Sequence, residues 1–178
     1  MCGIAGWLGD KINALICAEM LTRLAHRGPD GEGEWSADGV WLGHRRLAVL
    51  DLSSEGRQPM LSLSRRYILT YNGEVYNYLE LRGELERNGV HFRGNSDTEV
   101  VLAACEFWGV EEAATRFEGM FAFALYDVLD HVLWLVRDPM GIKPLYYANA
   151  GAEFAFASEL TALQPLPWFD DTVDADAL

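Results

Sequence analysis

The chain has 178 residues, of which 50% are hydrophobic and 12% aromatic, with 14 basic against 27 acidic residues and a net charge of −13. This composition predicts one folded domain with a sizeable core and excludes an intrinsically disordered chain. The acidic balance excludes a basic surface for phosphate backbones or anionic lipid, so we expect neither a nucleic-acid partner nor a membrane partner.

The hydrophobic patterns predict helices and strands without a regular alternation between them. Helical periodicity is found at residues 11–25, 76–88 and 97–108, with a further short helix near residue 158. Strand-like runs are found at residues 3–9, 34–50 (two runs), 66–71, 121–126, 133–137, 145–148 and 154–157. Helices interrupt the first half of the chain, whereas hairpins fill the second half. We therefore expect an α+β fold in which helices cover antiparallel sheets.

The C-terminal part differs in composition from the rest of the chain. After Gln164 the sequence is acidic and is interrupted by Pro165 and Pro167, a pattern typical of linkers. We therefore expect one domain over residues 2–165, followed by an acidic linker over residues 166–178.

The three cysteines, Cys2, Cys17 and Cys105, form a sparse and odd-numbered set without Cys-x-x-Cys spacing. This pattern argues against a disulfide scaffold and a zinc site, and it is typical of proteins in the reducing cytoplasm. Because Cys17 and Cys105 lie in helical patterns, we expect both to be small buried core residues. The four histidines are scattered, so the sequence predicts no metal site.

Cys2 differs from the other cysteines in its position. Removal of Met1 would leave Cys2 as the first residue, with a thiol and a free α-amine on the same Cα. Because an α-amine has a pKa of about 7.7–8.0, it can act as the base for the neighbouring thiol at neutral pH. The alternative is an incidental residue at the start of a strand, and position alone leaves both interpretations open.

Polar residues at the ends of three predicted elements are candidates for a site. Asn72-Gly73 is either a hairpin turn or a side-chain amide beside a backbone N–H, a pair of donors suited to an oxyanion. Arg46 ends a predicted strand and is either a surface ion-pair partner or a clamp for a carboxylate. Asp97 lies in the first turn of a helix with a capping box, where the helix dipole alone favours a carboxylate.

Seven short motifs occur together and in a fixed order. They are Met-Cys-Gly-Ile-Ala-Gly at the start, His-Arg-Gly-Pro-Asp at 26–30, His-Arg-Arg-Leu at 44–47, Tyr-Asn-Gly-Glu at 71–74, Ser-Asp-Thr-Glu at 96–99, Gly-Met-Phe-Ala-Phe-Ala-Leu-Tyr-Asp at 119–127 and Arg-Asp-Pro-Met-Gly-Ile-Lys-Pro-Leu-Tyr at 137–146. In this combination the sequence resembles the class II glutamine amidotransferase domain of glutamine-hydrolysing asparagine synthetases, from residue 2 to about residue 165.

The resemblance implies a fold and an activity. Members of this family are N-terminal-nucleophile hydrolases, whose fold is a four-layer αββα sandwich with two antiparallel sheets between layers of helices. The implied activity is hydrolysis of the side-chain amide of L-glutamine to glutamate and ammonia, in the cytoplasm. No cofactor and no metal are implied for this domain, because ATP and Mg²⁺ are expected only on the synthetase domain of the family.

Roles for individual residues follow from the resemblance. Cys2 is implied as the nucleophile that forms a γ-glutamyl thioester, with its own α-amine, acting through water, as base and acid. Asn72 and Gly73 are implied as the donors of an oxyanion hole. Arg46 is implied as the partner of the substrate α-carboxylate, and Asp97 as the partner of its α-ammonium group. The other positions that match the lining of the family's glutamine pocket are Leu47, Val49, Leu50 and Glu74.

One part of the family pattern is missing. The sequence has no Ser-Gly-Gly-x-Asp-Ser pyrophosphatase motif, so we expect the chain to need an ATP-dependent synthetase domain or subunit and to make no asparagine by itself. It is either a fragment or a stand-alone subunit, and a homodimer is an option left open. The alternative function is a catalytically silent domain that binds glutamine or docks a partner. A self-processing peptidase is disfavoured because only Met1 precedes Cys2.

Overall fold

The computed structural model describes residues 1–48 and 56–172. The strands are β1 Gly3–Leu8, β2 Gly31–Ala37, β3 Val40–Arg46, β4 Met60–Leu61, β5 Tyr67–Val75, β6 Gly119–Asp127, β7 Val132–Arg137, β8 Tyr146–Ala150 and β9 Glu153–Ala157. The helices are α1 Ala14–Arg23, α2 Tyr78–Arg87, α3 Asp97–Trp108 and α4 Val110–Arg116, followed by a 3-10 turn at Leu160–Ala162. No helix within the described ranges is long and apolar enough to cross a membrane.

The strands form two antiparallel sheets. The first sheet has the order β2-β3-β1-β9-β8, so that β1 is its central strand, and the second has the order β4-β5-β6-β7. β4 is only two residues long and pairs with Ile68 and Leu69 near the start of β5. The C-terminal half of β5 therefore pairs with β6 alone among the described strands. Its other edge is open to side chains from outside the sheet.

Three hydrophobic clusters define the stacking of the layers. The cluster between the two sheets contains Ile4, Leu42 and Phe156 from the first sheet together with Ile68 from the second. A second cluster packs α1 against the outer face of the first sheet, and a third packs α2, α3 and α4 against the outer face of the second. Burial of one large apolar side chain contributes roughly 1.5–3 kcal/mol. Because side chains alternate along the strands, each sheet has one face in the cluster between the sheets and one face against helices. The result is a four-layer αββα sandwich.

The predicted fold class is confirmed, and the differences lie at element boundaries. The sequence patterns indicate neither β4, which is too short to show alternation, nor α4, which follows α3 directly after a break at Gly109 (φ 86°). The prediction that a strand ends at Asn72-Gly73 is wrong, and so is the hairpin alternative. β5 continues to Val75, and Gly73 lies opposite Phe121 of β6 within the sheet.

The predicted linker and the two helical cysteines also have a place in the fold. Cys17 and Cys105 are buried, as expected. Leu166 is buried as well, and the ring of Trp168 packs on Trp7 with ring centroids 6.4 Å apart. The start of residues 166–178 thus packs on the domain, while residues 173–178 lie outside the described part of the chain. The boundary at residue 165 stays a prediction.

Two buried side chains join the sheets beside the C-terminal half of β5. Thr70 Oγ1 donates to the carbonyl oxygen of Gly43 at 3.1 Å, and His44 Nε2 lies 3.2 Å from the carbonyl oxygen of Tyr71. Because a carbonyl can only accept, the imidazole carries its proton on Nε2. Both bonds run from β3 to β5, the two strands whose ends carry most of the predicted site residues. Hydrogen bonds as well as packing therefore set the separation of these strands.

His44 makes the stability of the fold depend on pH. Burial, with a smaller effect from Arg46, lowers the pKa of His44 from its ordinary 6.5 to about 4. Between about pH 6.5 and pH 4 the unfolded chain therefore binds more protons than the folded chain. The free energy of unfolding falls as the pH decreases through this range, by at most roughly 3 kcal/mol. We expect a flatter pH profile for His44→Gln, which keeps a donor for Tyr71 but does not titrate. Urea unfolding of His44→Gln and of the unchanged chain between about pH 4 and pH 7 measures the two profiles. Identical profiles would contradict the role assigned to His44.

Candidate active site

Most of the predicted site residues line one cavity of about 190 Å³. The cavity lies where the start of β1 and the ends of β3 and β5 meet the start of α3. The predicted residues that line it are Cys2, Arg46, Leu47, Asn72, Gly73, Glu74 and Asp97. The two others, Val49 and Leu50, lie outside the described residues. The fold therefore brings together side chains that are far apart in the sequence.

Cys2 comes immediately before the central strand β1 and is held at both its backbone and its side chain. The backbone N–H of Leu47 donates to Cys2 Sγ at 3.4 Å, and Sγ lies 3.7 Å from the Leu47 carbonyl oxygen. Arg27 Nε donates to the Cys2 carbonyl oxygen at 2.9 Å, while the same guanidinium donates to Glu159 at 2.8 Å. These contacts fix the direction of the thiol.

The environment of Cys2 keeps its thiol protonated. Burial raises the pKa of the Cys2 thiol, which outweighs the opposite effects of the Leu47 N–H, the chain's terminal amine and the positive charge of Arg46. Only the thiolate is strongly nucleophilic. A nucleophilic role for Cys2 therefore requires a base that removes the proton as the reaction begins.

The His-Arg-Gly-Pro-Asp segment, residues 26–30, holds this end of the site together. Arg27 binds the Cys2 carbonyl, and Asp30 accepts a hydrogen bond from the backbone N–H of Ala48 at 2.9 Å. A Cβ at Gly28 would lie 2.3 Å from the carbonyl carbon of Arg45, so only glycine lets the two backbones approach this closely. The segment therefore holds both the backbone of Cys2 and the chain next to Leu47, the residue that binds the Cys2 thiol.

The Asn72 side chain points toward the first sheet. It follows Thr70 by two residues, and Thr70 reaches β3, so the alternation along β5 places both side chains on one face. Asn72 is 1% exposed, and its Nδ2 has no hydrogen-bond acceptor within residues 1–48 and 56–172. An unpaired buried donor costs about 1–3 kcal/mol and calls for an explanation. A donor that binds an oxygen atom of a ligand provides one.

The Gly73 N–H lies on the edge of β5 that does not pair with β6. Phe121, its partner in β6, donates its N–H to the Asp138 carboxylate and accepts the Asp138 N–H at its carbonyl oxygen. Because Phe121 directs both backbone groups away from β5, Gly73 directs its own N–H the opposite way. The N–H groups of Tyr71 and Val75 on the same edge are bound by side chains from outside the sheet. A Cβ at Gly73 would lie 2.6 Å from the nearest backbone atom of β6, which explains the glycine.

Asp97 is the first residue of α3. The Ser96 side chain accepts a hydrogen bond from the Glu99 N–H at 3.3 Å, the cap that the sequence predicts. Asp97 Oδ2 accepts from the Tyr71 hydroxyl at 2.7 Å and from the Val75 N–H at 3.1 Å. Burial raises the pKa of Asp97, while these two hydrogen bonds act to lower it. The carboxylate is therefore oriented by β5 as well as favoured by the helix dipole.

Charged side chains of both signs line the cavity. Arg46 and Lys143 are cationic, and Glu74 and Asp97 are anionic. Such an arrangement suits a zwitterion, whose carboxylate and ammonium groups need partners of opposite sign. In the described part of the chain, no group of three or more His, Cys, Asp or Glu side chains could hold a metal ion.

Comparison with known proteins identifies the family. A family model for a glutamine amidotransferase domain matches residues 1–178. The chain belongs to the glutamine amidotransferase family. It is 44% identical to glutamine-hydrolysing asparagine synthetase 1 of Bacillus subtilis, over 100% of this chain and 29% of that protein. It is 42% identical to a putative glutamine-hydrolysing asparagine synthetase of Mycobacterium tuberculosis, over 99% of this chain and 28% of that protein.

Solved structures of glutamine amidotransferases share the fold. The chain matches glutamine phosphoribosylpyrophosphate amidotransferase from Bacillus subtilis with a TM-score of 0.80 at 23% identity, over 92% of this chain and 43% of that one. A second structure, described as the allosteric regulatory enzyme of purine biosynthesis, gives a TM-score of 0.81 at 24% identity. At these identities the likeness concerns the fold alone, and it confirms the predicted four-layer sandwich of two antiparallel sheets between helices.

The predicted resemblance is confirmed at the level of family, fold and enzyme class. The chain spans under a third of the length of the curated relatives described above. Roles for individual residues stay predictions, and the structure contributes the common cavity and the contacts within it.

The cavity of this glutamine amidotransferase also contains residues that the sequence analysis did not single out. These are Met1, Ala48, Gly56, Gln58, Tyr71, Ser96, Thr98, Met120 and Lys143. Tyr71 and Lys143 both lie inside motifs that carry the resemblance, yet no pattern within those motifs indicates a role for them. Gln58 lies outside the motifs, and its Oε1 accepts the Tyr71 N–H at 2.6 Å. Such contacts between distant segments leave no signal in local sequence patterns.

Proposed function

We propose that this chain hydrolyses the side-chain amide of L-glutamine to L-glutamate and ammonia, with Cys2 as the nucleophile. The observation that supports this most directly is the buried, unpaired Asn72 Nδ2 in the same cavity as the Cys2 thiol. An amide donor in this position matches the negative oxygen that forms when a thiol attacks a carboxamide.

The proposed reaction has two stages. Cys2 Sγ attacks the δ-carbon of glutamine while its proton passes to the base, and the amide oxygen becomes an oxyanion bound by Asn72 Nδ2 and the Gly73 N–H. The tetrahedral intermediate then breaks its carbon–nitrogen bond, the leaving nitrogen takes up the proton, and ammonia departs from a γ-glutamyl thioester. Water attacks this thioester through a second oxyanion and releases glutamate and the free thiol.

The proposed base is the α-amine of Cys2 after removal of Met1. Burial raises the pKa of the thiol, so the thiol does not ionise unaided at neutral pH. An α-amine with a pKa of about 7.7–8.0 is partly unprotonated at neutral pH and can accept this proton through water. Arg27 fixes the backbone of the same residue through the Cys2 carbonyl, which supports a defined position for the amine.

Recognition of glutamine is assigned to side chains of opposite charge in the lining of the cavity. In the proposal, Arg46 binds the α-carboxylate, which suits the planar guanidinium, and Asp97 binds the α-ammonium group. Leu47 contributes its backbone to the cysteine contact, and Glu74 adds a second anionic side chain to the lining. Val49 and Leu50 lie outside the described residues, and their assignment to glutamine binding rests on the family resemblance alone.

We also propose that the ammonia serves an ATP-dependent amidation of the asparagine-synthetase type on a separate domain or subunit. The names of the relatives support this, and the chain covers only 28–29% of their length. ATP and Mg²⁺ would bind on that synthetase part, and no cofactor is assigned to residues 1–178. A cytoplasmic location and a homodimer belong to the same proposal.

A direct assay tests the hydrolysis. We expect the purified chain to release ammonia and glutamate in equal amounts from L-glutamine without ATP, measured by a coupled assay for each product. D-glutamine and L-asparagine are the matched control substrates, because they change the stereochemistry and the side-chain length respectively. Binding of L-glutamine by calorimetry without release of ammonia would contradict the proposal and favour the catalytically silent domain.

A further inference from the structure

All polar groups of Tyr71 are bound, each by a different segment of the chain. Its N–H donates to Gln58 Oε1 at 2.6 Å, and its carbonyl oxygen lies 3.2 Å from His44 Nε2. Its hydroxyl donates to Asp97 Oδ2 at 2.7 Å. The residue is 2% exposed. Tyr71 is thus connected to β3, to the segment before β4 and to the start of α3, and it lies directly before the proposed donor pair.

The hydroxyl bond defines the position of the Asp97 carboxylate. Tyr71 and Val75 both donate to the same oxygen, Oδ2, one through its side chain and one through its backbone. Donors four residues apart on one strand leave the carboxylate little freedom to rotate. The side chain of Tyr71 packs in the cluster between the second sheet and the helices, which fixes the phenol ring in turn.

We propose that Tyr71 is a positioning residue that aims the Asp97 carboxylate at the α-ammonium group of the substrate and thereby selects α-amino acids over ligands without an amine. This inference rests on the proposed function, because it takes the site to bind glutamine. Tyr71 touches neither the reacting amide nor the thiol in this scheme. Its effect passes through Asp97 alone.

The surroundings of Asp97 show why its carboxylate needs the hydrogen bond from Tyr71. Burial is the largest effect and raises the pKa of Asp97, and the negative charge of Glu74 on β5 adds to it. The Tyr71 hydroxyl acts in the opposite direction, together with backbone N–H groups of Val75 and Thr98. The other residues with titratable groups that line the cavity are Met1, which carries the terminal amine, and Cys2, Arg46 and Lys143. Loss of the hydroxyl therefore favours the neutral acid, which cannot form an ion pair with an ammonium group.

The test compares Tyr71→Phe with the unchanged chain, using two ligands that differ only in the amine. The ligands are L-glutamine and 4-carbamoylbutanoate, which has the same carboxylate and amide but no α-amine. A hydrogen bond to a charged group is worth enough to change affinity by about tenfold or more. We expect Tyr71→Phe to weaken L-glutamine binding by about this factor in calorimetry and to leave 4-carbamoylbutanoate binding within about twofold.

A second readout follows from the titration of Asp97. Because the hydroxyl lowers the pKa of Asp97, its removal raises that pKa further. The affinity for L-glutamine should therefore begin to fall at a higher pH in Tyr71→Phe than in the unchanged chain, as the pH is decreased. A purely structural role for the hydroxyl would lower affinity at every pH without changing the pH at which the affinity begins to fall.

Thr70→Val is the matched control. Like Tyr71→Phe, it removes one buried hydroxyl from β5, here the donor to the Gly43 carbonyl at 3.1 Å. Thr70 faces the first sheet and not Asp97, so this variant should lose stability without changing the affinity ratio of the two ligands. Equal weakening of both ligands in Tyr71→Phe, or no weakening of either, would overturn the inference, as would an unchanged chain that does not prefer L-glutamine. Preferential binding without ammonia release would contradict the proposed hydrolysis while leaving the inference intact.

Discussion

Cys2→Ser lowers the rate of ammonia release from L-glutamine by about a thousandfold or more, because it removes the thiol that attacks the amide. A serine hydroxyl is much harder to ionise than a thiol, and the proposed α-amine base does not compensate for this difference. Among the described residues, the Cys2 side chain forms hydrogen bonds only with the backbone of Leu47. The substitution should therefore leave the fold and the binding of L-glutamine nearly unchanged, so that kcat falls and KM does not rise.

Cys17→Ser and Cys105→Ser are the controls, since each makes the same change of one atom. Both side chains are buried in helices, and burial raises the pKa of each thiol to about 12. They are therefore unreactive thiols, and their loss should affect stability and not turnover. If Cys2→Ser kept the activity of the unchanged chain while either control lost it, the assignment of the nucleophile would be wrong.

Mass spectrometry of the unchanged chain and of Cys2→Ser tests the proposed base. A glutamine-like electrophile should add once to the unchanged chain, at Cys2, and the adduct should be absent from Cys2→Ser. The intact mass should be lower than that of the full sequence by one methionine, because the α-amine of Cys2 is free only when Met1 is removed. Full activity in a preparation that retains Met1 would show that another group removes the thiol proton.

The sequence was most informative where function depends on residue types at fixed positions. Cys2, Arg46 and Asp97 could be singled out as candidates because they lie at element ends that local patterns mark, and the roles predicted for them came from the family resemblance. The α+β class with antiparallel sheets followed from periodicity in the same way, whereas the four-layer αββα sandwich was implied by the family resemblance. These signals are local, since caps, turns and alternation involve residues within a few positions of one another.

The contacts that organise the site could not be predicted because they join segments far apart in the chain. Asn72-Gly73 carries the strongest local signal for a hairpin, yet pairing with β6, 48 residues further along at Gly73–Phe121, keeps both in a strand. The bonds from His44 and Gln58 to Tyr71 come from two other segments. Tertiary pairing determined these positions, and no single window of sequence contains both partners.

Asn72→Ala should separate catalysis from stability. In most proteins the loss of a buried amide removes a hydrogen bond and destabilises the fold. Asn72 Nδ2, however, has no acceptor within the described residues, so its removal breaks no such bond there and ends the cost of an unpaired donor. The remaining loss is that of packing, and we expect the free energy of unfolding to change by less than about 1 kcal/mol in urea titrations.

Turnover by Asn72→Ala, unlike its free energy of unfolding, should change strongly. One oxyanion donor is worth about a hundredfold to a thousandfold in kcat, so Asn72→Ala should lose this factor with little change in KM. Asn72→Asp should lose more, because a carboxylate of the same shape repels the developing negative oxygen. Both variants keep Cys2, and both should still be labelled by a glutamine-like electrophile, although more slowly.

Asn77→Ala provides the contrast that makes the result decisive. Asn77 Nδ2 donates to the Arg116 carbonyl at 2.9 Å, and its Oδ1 accepts from the Glu118 N–H at 3.1 Å. Its removal leaves both of these partners without their bond, so stability should fall while kcat stays within about twofold. Opposite patterns in the two asparagines are expected only if one amide serves the fold and the other serves the transition state. A stability loss in Asn72→Ala as large as that in Asn77→Ala, with kcat preserved, would exclude Asn72 as an oxyanion donor.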